Sequence, residues 1–161
     1  MRTEWQRHVL ASSGYLELGM LNDAALVLEE IAPEDKIRNE VLGARVDIYM
    51  AAKKWDMAAA VASHLVKVEP QNATWWISLA YALRRAESAG KAEAIMLQAQ
   101  AMHPKVAMIA FNLACYASVA GRMEEAKERL QHAIELDKGI RGLALDDEDL
   151  KPLWEWIGGL K

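Results

Sequence analysis

Small and apolar residues recur along this chain in columns that repeat every 34 positions. Ala24, Ala58, Ala92 and Ala126 form the most regular column. Four residues later come Leu28, Ala62, Met96 and Leu130, and seven later come Ile31, Leu65, Ala99 and Ala133. Nine positions before the alanines stand Tyr15, Tyr49, Leu83 and Ala117. Offsets of four and seven hold side chains on one face of an α-helix. Alanine in such a column lets two helices cross closely, while Leu or Met beside it fills the remaining space. Several columns agreeing in one register argue against chance in an Ala-rich chain. This period belongs to helix–turn–helix units that bury their apolar faces only against one another.

Units starting at Trp5, Asn39, Ala73 and Ala107 cover about 5–38, 39–72, 73–106 and 107–140, leaving 141–161 as a closing segment. The register predicts first helices near 3–18, 37–52, 73–86 and 106–120. Second helices follow near 22–32, 55–69, 89–102 and 122–136. Asn22, Asp56 and Ser88 stand at or near the starts of second helices, where a short polar side chain caps free N–H groups. Gly19, Gly90 and Gly121 lie close to the turns inside the units, where a left-handed backbone is called for. Pro33 should end the first unit's second helix early. No strand-like alternation survives beside the helical pattern. The predicted fold class is all-α, an α-solenoid read as one domain over 1–161.

In this register the units resemble tetratricopeptide (TPR) repeats. The third carries the pattern best, as Trp76, Leu79, Ala80, Leu83, Ala92, Met96, Ala99 and Pro104. The second supplies Leu42, Val46, Tyr49, Ala58, Leu65 and Pro70; the fourth supplies Leu113, Ala114, Gly121, Ala126, Leu130 and Ala133. The first supplies Ser12, Tyr15, Gly19, Ala24, Leu28 and Ile31. Arg45 departs from the pattern at a normally apolar place, and Lys36 and Lys138 stand where a terminal proline is expected. The resemblance implies a right-handed superhelix of four repeats with a C-terminal capping helix.

Beyond residue 140 the repeat ends. An acidic run, Asp146-Asp147-Glu148-Asp149, precedes Leu150, Leu153, Trp154 and Ile157, which share a helical stripe. Carboxylates ahead of that stripe suit a helix start. The segment is similar to the Asp-x-Asp-Leu-x-x-Leu ending found after some bacterial TPR arrays. It either covers the open face of the fourth repeat or sends its tryptophans into the groove or another protomer.

In TPR proteins the first helices line a concave groove that takes ligands. The resemblance places the groove here on Asp47, Met50, Thr74, Ile77, Tyr81, Arg84, Arg85, Met108, Phe111 and Cys115. Equivalent positions elsewhere include Val9, Ser13, Leu16, Glu17, Glu40 and Gly43. An acidic group beside a hydrophobic anchor would match Arg84 and Arg85 next to Met108 and Phe111. The competing reading leaves both arginines in solvent and fills the apolar pocket with the tail. The basic clamp by which some TPR domains hold a chaperone's terminal carboxylate is missing, since its places read Val9, Ser13, Ala44, Thr74 and Ser78.

Composition changes this picture little. An apolar content of 53% supports a sizeable core, and no apolar run approaches a membrane span. No secretory leader pattern opens the chain, and the single cysteine, Cys115, fits a reducing compartment, so a cytoplasmic location is expected. A net charge of -4 without a basic stripe argues against nucleic acid. His8, His64, His103 and His132 are too dispersed for a metal site, and Asp146, Asp147 and Asp149 lack the rest of a calcium loop. Trp5, Trp55, Trp75 and Trp76 read as packing residues. No catalytic residues, cofactor or metal are therefore expected. The function expected is a protein-interaction module or adaptor binding an unknown protein or peptide. The alternatives are a self-associating structural protein, forming a homo-dimer, and a chaperone for a secreted effector.

Overall fold

The computed structural model covers residues 1–161 and is helical throughout. The helices are α1 (Glu4–Glu17), α2 (Leu21–Glu29), α3 (Asn39–Ala51), α4 (Trp55–Val68), α5 (Ala73–Ala86), α6 (Ala89–Met102), α7 (Ala107–Val119) and α8 (Met123–Leu136). A closing segment follows as α9 (Ile140–Asp146), a 3-10 helix over Glu148–Leu153 and α10 (Trp154–Gly158). The chain divides into two compact units, Met1–Glu87 with α1–α5 and Ser88–Lys161 with α6–α10. That division falls inside the segment read as the third repeat. No helix is long and apolar enough to cross a membrane.

The turns inside the repeats have a common cause. At Gly19, Lys53 and Gly121 the backbone enters the left-handed region, with φ of 73°, 57° and 80°. In each case this residue and the next donate their N–H groups to free carbonyls of the preceding helix. Gly19 donates to Leu16 and Met20 to Tyr15; Lys53 donates to Met50 and Lys54 to Tyr49; Gly121 donates to Ser118 and Arg122 to Ala117. Such paired bonds satisfy carbonyls that a helix end leaves open. The third repeat differs: Glu87 occupies the matching place with φ -131°. Gly90, expected near a turn, lies instead in the first turn of α6, with Ser88 as the cap ahead of it.

Capping follows side-chain chemistry. Thr3 and Gln6 exchange bonds across the start of α1, Asn72 accepts from the Thr74 N–H, and Ser88 accepts from the Lys91 N–H. Asn22 and Asp56 do not cap; they lie within the first turns of α2 and α4. α2 stops at Glu29, ahead of Pro33 and three residues short of the expected end near 32.

The alanine column is fully buried at all four places, as is the column of Leu28, Ala62, Met96 and Leu130. In the first unit Ala24, Leu28 and Ile31 pack with Val41 and Ile48. Ser12 is also fully buried there, and its hydroxyl donates to the Ala24 carbonyl at 3.1 Å. Arg45 stays polar by pairing with Glu29 at 2.9 Å. The hydrogen bond from Lys36 and the neighbouring Arg45 hold the Glu29 carboxyl below the usual carboxylate range.

Candidate functional site

Three first helices of the first unit enclose a cleft of about 310 Å³. α1 contributes Val9, Ser12, Ser13 and Leu16; α3 contributes Glu40, Gly43, Ala44 and Asp47; α5 contributes Trp75. Spacings of three and four place these side chains on one face of α1 and one face of α3.

The wall is shaped by one glycine. A Cβ at Gly43 would lie 2.2 Å from the Trp75 ring, so the indole occupies space that any other residue would fill. Trp75 is fixed from behind, where its Nε1–H donates to Glu69 at 2.9 Å. Trp75 and Ser12 are absent from the groove positions that the sequence indicates. The available signal is Gly43 itself, because glycine inside a helix costs about 1 kcal/mol relative to alanine and needs a packing reason.

Asp47 is an unusual carboxylate. Its residue is exposed to solvent, although it lines the cleft. Burial alone pushes its carboxyl upward from the ordinary value. Neither Asp47 nor Glu40 takes a hydrogen bond or ion pair from the protein. The cleft lining holds no Lys, Arg or His. It is an apolar-walled, acidic cleft without a counter-ion.

The other expected groove residues fall into two groups. Met50, Thr74, Ile77, Tyr81, Arg84 and Arg85 share the first unit but stand outside the cleft lining. The Arg85 guanidinium lies 3.4 Å from the Tyr81 ring centroid and 5.3 Å from that of Trp55, and it donates to the Tyr81 carbonyl. It is thus stacked on aromatic faces rather than left loose in solvent.

In the second unit Phe111 and Cys115 are buried, 6% and 3% exposed, in a cluster with Leu150, Leu153 and Ile157 from the closing segment. Met108 packs against the same cluster. Ser118, buried beside them, donates to the Asp149 carbonyl at 2.6 Å. Trp154 Nε1–H donates to the carbonyls of Ala144 and Asp147. The closing segment therefore covers the face of α7 proposed from the sequence for a hydrophobic anchor. Phe111 and Cys115 are corrected from groove residues to core residues, because tail side chains already occupy that surface.

The fold also gathers Cys115, Asp147 and Asp149, whose ligand atoms lie within 4.8 Å of one another. Sequence separation hides this group. Both aspartates serve the chain's turn into the 3-10 helix: Asp147 accepts the Asp149 N–H, and the Asp149 carbonyl accepts from Ser118.

Helical pairs with buried alanine columns at a 34-residue period define an all-α, TPR-type solenoid fold. Solved structures agree. The chain is similar to TTC0263, a thermophilic TPR protein of Thermus thermophilus, with a TM-score of 0.75 and 17% identity over 96% of this chain and 83% of that one. It is also similar to MamA AMB-1, with a TM-score of 0.67 and 20% identity over 84% of this chain and 74% of that one. For MamA MSR-1 the TM-score is 0.65 at 16% identity, over 96% and 94% of the two chains. Identities this low carry the fold and not the partner. No family model matches the chain, and no curated protein matches its sequence significantly.

Proposed function

We propose that this protein is an interaction module that holds a segment of a partner polypeptide against its first helices. The observation that carries this reading is the first-unit cleft, in which three consecutive first helices present apolar walls and unpaired polar groups to solvent. Such a surface recognises without transforming. Neither carboxylate accepts a bond from a serine, and the Ser12 hydroxyl is committed to the Ala24 carbonyl, so no nucleophile is paired with a base. Met50, Thr74, Ile77, Tyr81, Arg84 and Arg85 continue α3 and α5 beyond the cleft and form the flank of the recognition surface. An adaptor of this kind works in whichever compartment its partner occupies; we place it in the cytoplasm on the strength of its lone, buried cysteine.

A photo-cross-linking residue placed at Ser13, in the cleft, should capture a partner in cells of the native host. The same residue placed at Leu26, 63% exposed on α2, should not. Equal capture from both positions, or capture from Leu26 alone, would move recognition off the first helices.

A further inference from the structure

Several carboxylates of the first unit have partners. Glu29 holds Lys36 and Arg45, Glu69 holds the Trp75 indole, and Asp35 holds Arg38. Glu40 and Asp47 have none, although both line the same cleft, two turns apart on α3. The nearest cation in sequence to Glu40, Arg38, is already engaged by Asp35 and by the face of Trp5. His8, on α1, is engaged by the Glu4 carbonyl and by Glu30.

We propose that this cleft seats a Lys or Arg side chain of the partner segment on the α3 face that carries Glu40 and Asp47, with an adjacent apolar side chain against Val9, Leu16 and Trp75. The proposal rests on the first-helix reading given above and names the chemistry of its ligand. A carboxylate stripped of part of its water is unfavourable until a cation pairs with it. An arriving ammonium or guanidinium supplies that partner, and an acidic lining without a cation disfavours an acidic segment. Gly43 and Trp75 supply the second half of the recognition. The benzo edge of the indole abuts the α3 backbone at Gly43, and the half-buried ring adds apolar surface beside the charges. The chemistry is opposite to the one expected from Arg84 and Arg85: the partner brings the positive charge.

Fluorescence polarisation with defined peptide pools tests this. Three pools are needed, identical except for a central Leu-Arg, Leu-Glu or Gly-Arg pair. The Leu-Arg pool should bind, and added salt should weaken it. The Leu-Glu and Gly-Arg pools should bind at least about tenfold more weakly. Asp47→Asn and Glu40→Gln, each with an unchanged helical signal, should each weaken the Leu-Arg pool by about tenfold. Equal or tighter binding of the Leu-Glu pool, or an unchanged affinity in both variants, overturns the charge assignment while leaving a peptide groove in place. Equal binding of the Gly-Arg pool overturns the apolar half. Binding of no pool, together with cross-links that fail at Ser13, overturns the groove reading and this proposal with it.

Discussion

A methyl group on Gly43 would meet the Trp75 ring at 2.2 Å, and Trp75 cannot swing away without losing its bond to Glu69. Gly43→Ala should therefore lower stability by about 1–3 kcal/mol, the usual range for overpacking, measured as a fall in the urea midpoint. Lys53 is the opposite case. It holds a left-handed φ that Gly19 and Gly121 adopt freely at the matching places. Lys53→Gly should raise stability by about 1 kcal/mol in the same measurement. Asp47 gives a pH test. Its folded-state carboxyl lies above its ordinary value because burial disfavours the charge. The penalty is present in full above the raised value and absent below the ordinary one. Asp47→Asn should raise the melting temperature slightly at neutral pH, and the gain should vanish in acid. A gain that persists in acid would mean that packing, not charge, is responsible.

Among the elements, the closing segment contributes most beyond the repeats. Leu150, Leu153 and Ile157 are buried against α7 and cover Phe111 and Cys115. Deleting residues 143–161 should cost at least about 3 kcal/mol, because several fully buried apolar side chains are lost and others are exposed. It should also make the Cys115 thiol reactive toward a thiol reagent under native conditions. An unchanged melt with an unreactive thiol would show that this packing contributes nothing. The stripe of Leu150, Leu153 and Ile157 is legible in the sequence because helical spacing alone assigns a face. The break into a 3-10 helix with Pro152 inside it is not, since that geometry answers to the Ser118 and Asp147 bonds made on folding. The helices of the repeats are legible to within two residues except at the end of α2, because the columns that bury them recur at one period.

For the molecule as a whole, the proposed interaction module should elute as a single chain whose mass does not change with concentration in size-exclusion chromatography with light scattering. A mass that doubles on concentrating the sample would favour the self-associating alternative. The repeat length, the helical class and the buried columns are all readable in advance, because each depends on residues a few positions apart on one helix face. The proposed recognition surface is readable only in outline. First-helix positions can be numbered, and six of the nine cleft residues are among them: Val9, Ser13, Leu16, Glu40, Gly43 and Asp47. What they do not disclose is occupancy. Whether Phe111 faces solvent or the tail, whether Arg85 lies free or stacked on Tyr81, and whether Asp47 has a counter-ion all depend on what the folded chain brings beside them. Local periodicity sets which face a residue occupies; only folding decides what else reaches that face, and so whether it is left open to a partner.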